Sequence, residues 1–343
     1  MKRATIKDVA ALAGVSIATV SHVLNETKFV SSSNTEKVRR AVTELGYRPS
    51  GVASSLRRQE SGVIGLVLPM QGQDSSAAFF TRLAAGIEKT VASYGYRTII
   101  SNTEEDATRE HDQLELFHGQ FTDFIDGLII APTFEAEPEQ TEYVQLGGLP
   151  CVYVDRLPLG LTVDLDFVGT NNYSISLEGL QQVIGQGTRD IVCISSPIDV
   201  SSMVDRRRAF CDAVSPYVND AESRIYVTSS SFDAGYEIGL KVLNAHPNAD
   251  AFFVTNSTIA MGFIKALHEI HGADPSDLGL LVYDDSEWMD LVRPAINSIE
   301  QPAYGMGQRA AELLLHKMRE PQKQPERVTL ESTLTMRSTQ RGK

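Results

Sequence analysis

The chain has 343 residues, 42% hydrophobic and 22% charged, with a formal net charge of -13, enough for a small module and a body of one or two larger domains. No apolar run approaches a membrane span and none follows Met1-Lys-Arg-Ala-Thr5, so no signal peptide is visible, and a cytoplasmic protein with no membrane partner is expected. Cys151, Cys193 and Cys211 are scattered and read as small core residues in a reducing compartment, and neither they nor the seven histidines show metal-ligand spacing, so no metal or cofactor is expected.

The first elements are helical. Thr5 and Asp8 stand at capping-box spacing, and Ile6, Val9, Ala10 and Ala13 follow at helical spacing. Gly14 supplies a tight turn, because glycine enters left-handed geometry without steric cost. Ser16 is placed to cap a second helix with Val20, Val23 and Leu24 inside and Ile17, Ala18, Ser21 and His22 outside. Two short helices about such a turn have the layout of a helix-turn-helix, and this outer face fits a DNA major groove. A third helix, capped by one of Ser31, Ser32 and Ser33, buries Val38, Ala41, Val42 and Leu45 and ends at Gly46. The bland alternative is a helical cap on a larger domain. Agreement among caps, turn and exposed face favours a DNA-binding headpiece.

Charge divides along the same boundary. Residues 1 to 60 carry ten Lys or Arg against five Asp or Glu, a surplus of +5, so the remainder carries -18. A basic head attracts phosphates and an acidic body repels them, which holds nucleic acid at one end. Between them, Tyr47-Arg-Pro-Ser50 breaks the chain, and Ser50 is placed to cap a short helix over 51–58. A helix of that length is marginal in water and Gly51 weakens it by about 1 kcal/mol, so folding upon DNA is expected there.

From residue 63 apolar runs of strand length alternate with amphipathic helices. Candidate strands are 63–68, 98–101, 127–131 and 151–154, then 191–195, 225–228, 251–254 and 280–283. Two such sets predict an α/β body of two doubly wound parallel-sheet lobes, with crossings near 169–171, 300–301 and 327. Ligands bind beyond the carboxyl ends of such strands. The residues there include Asn102-Thr103, Pro132-Thr133, Asp155-Arg156, Ser195-Ser196, Asn256-Ser257 and Asp284-Asp285, with Gln301 at a crossing. Carboxylates, amides and hydroxyls of this kind hydrogen-bond a polyhydroxylated ligand, and Phe79, Phe80, Phe232, Tyr283 and Trp288 are candidate apolar walls. Each has a mundane alternative: Asn256 as a helix cap, Asp284 and Asp285 as turn residues, Arg206-Arg-Arg208 as a solvated helix face.

The runs Thr5-Ile-Lys-Asp-Val-Ala10, Ala13-Gly-Val-Ser16, Ala18-Thr-Val-Ser21, Glu44-Leu-Gly-Tyr-Arg-Pro49 and Val52-Ala-Ser-Ser-Leu56 resemble the headpiece of the lactose-repressor (LacI) family. The stretch from Thr19 to Asn25, with Thr27 and Phe29-Val30, is most similar to the purine and ribose repressors. The resemblance continues, weaker, to about residue 337. It implies domains at 1–48 (headpiece), 49–61 (hinge helix and linker), 62–168 with 301–327 (first lobe) and 169–300 with 328–340 (second lobe).

It also implies two sites. The DNA-facing set is Thr5, Ser16, Ile17, Ala18, Thr19, Ser21, His22, Asn25, Tyr47, Ser50, Val52, Ala53, Leu56 and Arg57. Ile17 and Ala18 suit thymine methyls and His22 a base edge, with a phosphate contact as its alternative. Thr5, Thr19, Ser21 and Tyr47 are assigned to phosphates, and Leu56 to a minor-groove wedge. The effector set is Phe79, Asp155, Arg206, Phe232, Asn256, Asp284 and Gln301. Three departures alter the pocket: Ala77-Ala-Phe-Phe80 for the common Asn-Pro-Phe-Phe, Ser257 for an acid, and Asn171-Asn172 for Asp-Asn.

The implied protein is no enzyme but a repressor. Its partners are double-stranded operator DNA, read as a pseudo-palindrome by a homodimer, and a small effector, sugar-like first and purine or nucleoside second. The C-terminus has no heptad tail, which favours the dimer over a tetramer. A transport-type sugar-binding protein leaves the headpiece unexplained. An enzyme on this fold lacks a Gly-x-Gly-x-x-Gly, a Walker loop and a nucleophile elbow.

Overall fold

The computed structural model describes residues 4–25, 28–47, 61–70, 75–120, 124–197, 200–272 and 278–337. The chain divides into two compact units, 1–61 and 62–343.

In the first unit, α1 (Ile6–Ala13), α2 (Ile17–Asn25) and α3 (Ser32–Glu44) close on Val9, Ala10, Ala13, Val20, Val23, Val38 and Ala41. The capping spacing is realised: the Thr5 amide and hydroxyl both donate to Asp8 Oδ2, at 2.8 and 2.7 Å. Gly14 takes φ 64 and turns the chain through 103° between α1 and α2. Ser16 Oγ accepts the Thr19 amide at 3.0 Å and starts α2. Ser31 holds the position before α3 without a side-chain cap bond.

The second unit holds two six-stranded sheets. The first comprises β1 (Val63–Leu68), β2 (Arg97–Asn102), β3 (Gly127–Ile130), β4 (Cys151–Val154), β5 (Phe167–Thr170) and β11 (Arg327–Leu330), in the order β11-β5-β4-β3-β1-β2, all parallel. The second comprises β6 (Ile191–Ser195), β7 (Ile225–Val227), β8 (Ala251–Val254), β9 (Gly279–Tyr283), β10 (Ile296–Glu300) and β12 (Thr333–Thr335), in the order β12-β10-β9-β8-β6-β7. Only β12 runs antiparallel.

Helices cover both faces of each sheet, which is why the strands read as unbroken apolar runs. On one face of the first sheet, α4 (Ser75–Ser93) and α11 (Ala303–Arg319) press Phe80, Leu83, Ile87, Met306, Ala310 and Leu314 onto Ile64, Leu66 and Leu68. On the other, Leu114 of α5 (Ala107–Glu115) meets Val67, Leu128 and Ile130, beside Val144 of α6 (Pro138–Leu146). In the second lobe α9 (Phe232–Ala245) and α10 (Ser257–His271) cover one face, and α7 (Asn172–Gly185) and α8 (Ser201–Val214) the other.

The chain passes between sheets three times: after β5, after β10, and at 331–332 between β11 and β12. The last crossing lies beyond the expected 327, because 327–330 pair with β5. Asn171 ties two crossings together. Its amide donates to Leu330 O at 3.2 Å, its Oδ1 accepts the Ser332 amide at 2.9 Å, and its Nδ2 bonds Glu331.

Candidate nucleic-acid interface and ligand cleft

On the headpiece, Thr5, Ser16, Ile17 and Ala18 are exposed, while Thr19, His22 and Tyr47 are half-buried. Ser16 and Thr19 join hydroxyls at 2.9 Å, a polar pair at the start of α2 beside the exposed Ile17. Ser21 corrects the expected outer face, since it is only 9% exposed. Helix α2 is wrapped by both α1 and α3, and its buried arc extends past Val20 and Leu24 to Ser21. The side chain of Asn25, and Ser50, Val52, Ala53, Leu56 and Arg57, lie outside the described residues.

In the body, one cleft gathers residues from the carboxyl ends of strands of both sheets, where doubly wound folds bind ligands. Its lining is Phe79, Phe80, Glu105, Phe134, Asp155, Arg156, Ser196, Ser202, Met203, Arg206, Ser230, Asn256, Asp284 and Gln301, around an empty volume of about 480 Å³ that is partly open to solvent.

The two lobes contribute matching aspartates. Asp155 follows β4 and Asp284 follows β9, each left-handed, at φ 73 and φ 68. Each donates its amide to the neighbouring strand at 2.9 Å, to Val168 O and Ile299 O. This conformation costs a non-glycine residue roughly 1–2 kcal/mol, least for Asp and Asn. Burial raises both carboxyl pKa values, against the Arg156 and Arg206 charges beside Asp155 and chiefly the Arg206 charge beside Asp284. Gln301 Nε2 donates to Asp284 Oδ1 at 2.9 Å, while Gln301 Oε1 accepts Thr170 Oγ1 at 3.2 Å.

Arg206 is 3% exposed and rests over the Tyr283 ring, 3.5 Å from its centroid. Its Nε donates to Asn172 Oδ1 and its Nη1 to Thr255 O, both at 2.8 Å. The alternative of a solvated Arg206-Arg-Arg208 face holds for its neighbours only: Arg207 pairs with Glu222 and Arg208 lies over Tyr173. Asn256 does two things. Its Oδ1 caps α10 at the Ile259 amide, 2.8 Å, while its Nδ2 reaches Ser196 Oγ and Ser230 Oγ at 2.7 and 2.9 Å.

The first lobe holds a second buried arginine. Arg156 Nη2 meets Glu105 Oε1 at 2.5 Å and its Nε lies 3.4 Å from Asp155 Oδ2. Its guanidinium stands 4.0 Å from the Phe134 ring centroid and 5.8 Å from that of Phe80. Glu105 reaches it from a turn in which Glu104 and Glu105 are both left-handed, at φ 53 and φ 59.

Of the seven expected effector residues, Phe79, Asp155, Arg206, Asn256, Asp284 and Gln301 line this cleft, and Phe232 does not. Ser231 Oγ caps α9 at the Ala234 amide, 3.2 Å. This sets Phe232 on the outer side of the α9–α10 pair, 39% exposed and 5.6 Å from Lys265 Nζ. Ser230 lines the cleft in its stead. Trp288 packs against the second-lobe core and Tyr283 lies beneath Arg206. Sequence reasoning missed Glu105, Phe134, Ser202, Met203 and Ser230. Glu105, Phe134 and Ser230 stand three or four residues beyond their strands, farther than a strand-end reading reaches.

A helix-turn-helix headpiece on a chain whose two-lobed body frames a polar cleft is the plan of a ligand-responsive DNA-binding regulator. The family of bacterial regulatory proteins, lacI family, matches residues 5–50, and a periplasmic binding protein-like domain matches 180–340. The ribose operon repressor of Halalkalibacterium halodurans is 31% identical over 340 residues, covering 98% of this chain and 97% of that protein. A LacI-family regulator of Enterococcus faecalis V583 with bound ribose is 25% identical, with a TM-score of 0.68 over 81% of this chain and 98% of that one. The lac repressor dimer bound to operator and the anti-inducer ONPF shares the fold, with a TM-score of 0.82 at 22% identity over 98% and 99% of the two chains. The chain belongs to the LacI family of bacterial transcriptional regulators.

Proposed function

We propose that this protein is a cytoplasmic, non-enzymatic repressor that binds a pseudo-palindromic operator as a homodimer and is controlled by a sugar or sugar derivative held in the cleft. The observation that carries the effector class is the convergence of Asp155, Arg156, Arg206, Asn256, Asp284 and Gln301 on one cleft. Such a set offers paired donors and acceptors to vicinal hydroxyls, each of which both donates and accepts. The relative bearing the name ribose operon repressor and the ribose-bound regulator support the same class. Closure of the lobes on the sugar shifts the dimer contacts and so the spacing of two headpieces.

Exposed edge strands support the dimer. Ile99 and Ile100 on β2 are each 50% exposed and Val227 on β7 is 48% exposed, at the same edge of the two sheets. An uncovered apolar edge is a pairing surface. The headpiece set Thr5, Ser16, Ile17, Ala18, Thr19, His22 and Tyr47 serves the operator, with the segment 49–61 and Leu56 assigned to the minor groove by family resemblance alone.

A thermal-shift series on the full chain with pentoses, hexoses, sugar phosphates and nucleobases tests the effector class. At a hundred times its Kd a ligand adds about 2.7 kcal/mol of stability. A shift with a sugar is expected, lost in Arg206→Met. A shift with a nucleobase and no sugar would reverse the assignment.

A further inference from the structure

Glu105 neither caps the helix that follows it nor closes the turn that holds it. Helix α5 is capped by Asp106, whose Oδ1 accepts the Arg109 amide at 3.0 Å, and the preceding turn is closed by Asn102 Oδ1 on the Glu104 amide, 3.0 Å. Yet the chain holds two successive left-handed glutamates there, a strain that persists only where the surroundings impose it. The outcome is two buried contacts. Glu105, its side chain 8% exposed, gives one oxygen to Arg156 Nη2 and the other to the Phe134 amide at 3.1 Å.

The charge of the lining follows from this. Three carboxylates, Glu105, Asp155 and Asp284, face two guanidiniums, Arg156 and Arg206. Arg156 is already paired with Glu105 and beside Asp155. An anionic group entering here would meet a surplus of carboxylate and a guanidinium whose charge Glu105 already offsets, whereas a hydroxyl can donate to the one and accept from the other.

We propose that Glu105 is a specificity-determining residue: by occupying Arg156 it closes the cleft to phosphorylated and carboxylated ligands and commits it to an uncharged polyol. The inference rests on the reading of the cleft as a sugar site, and adds the charge class of the sugar and the residue that sets it.

The test uses the full chain with D-ribose, D-ribose 5-phosphate and inorganic phosphate as probes, read by calorimetry and thermal shift. The parent protein is expected to ignore both phosphates at millimolar concentration. Glu105→Gln is expected to gain a saturable phosphate response that disappears when Arg156→Gln is added. Its preference for ribose 5-phosphate over ribose is expected to rise about tenfold or more, the worth of a freed charge-assisted bond. If Glu105→Gln does not fold, Glu105→Asn carries the same test, since Asn tolerates left-handed backbone. A parent protein that binds inorganic phosphate through Arg156, or a folded variant with no phosphate response, overturns the proposal. Inorganic phosphate contains no sugar, so this arm decides on Glu105 even if no neutral sugar binds the parent, an outcome that counts against the sugar reading alone.

Discussion

Asp284 illustrates how a cleft-lining carboxyl can be held at the expense of stability. Its carboxyl is buried and its pKa is raised in the folded chain, so the native state holds a proton more tightly than the unfolded state does. Stability from this group is then complete below about pH 4, the unfolded carboxyl value, and is lost as pH rises through the folded value. Asp284→Asn keeps an oxygen for Gln301 Nε2 and tolerates φ 68. Thermal denaturation is expected to show this variant more stable than the parent at pH 7, with the gap closing as pH falls towards about 4. Its sugar affinity is expected to fall about tenfold or more, because a charge-assisted acceptor is lost. On the headpiece, His22 is half-buried at the edge of the exposed face of α2. His22→Arg is expected to change the consensus recovered in a binding-site selection, and an unchanged consensus would assign His22 to a phosphate.

At the scale of elements, glycine notches set the helix layers over both sheets. A Cβ on Gly307 of α11 would stand 2.1 Å from Leu83 O, and one on Gly262 of α10 would stand 2.1 Å from Phe232 O. Each lobe thus packs a helix pair at backbone contact. Gly262→Ala is expected to destabilise by about 1–3 kcal/mol or more, as overpacked cores do. Gly185→Ala, where a Cβ meets nothing within 4 Å, is expected to be neutral or to stabilise by up to about 1 kcal/mol. Chemical denaturation of both variants checks the pair.

The elements also show what the sequence made legible. Strands such as Val63–Leu68 and Ile191–Ser195 announce themselves because both faces are buried. The strands β5, β10, β11 and β12 at the crossings do not. In β10, Asn297 and Ser298 are fully buried yet polar, satisfied by Leu280 O, the Arg337 amide and Arg337 Nη1. Tertiary partners, invisible to periodicity, make that run a strand. The site divides in the same way. Asp155 and Asp284 directly follow their strands and Asn256 stands two residues beyond its own, within reach of a strand-end reading. Ser230 and Phe134 sit deeper in the loops, and Phe232 was misplaced because the Ser231 cap turns it outward. Ser21 was misplaced because α2 is enclosed on two sides rather than one.

For the whole molecule, the +5 of residues 1 to 60 against -18 for the rest puts attraction to DNA in the headpieces. Operator affinity is expected to fall steeply with salt, with a log–log slope of about -5 or steeper if two headpieces together contact six or more phosphates. The most direct measurement is fluorescence anisotropy of the full chain on promoter DNA from its own chromosomal neighbourhood, at low and moderate salt, with and without ribose and other neutral sugars. Parent and Asp284→Asn are expected to bind the same fragment comparably without sugar, and a sugar is expected to shift the parent's affinity at least several-fold while leaving the variant unmoved at the same concentration. Failure to bind any such fragment at low salt, whatever sugar is added, or an equal sugar response in both proteins, would contradict a cleft that governs DNA binding.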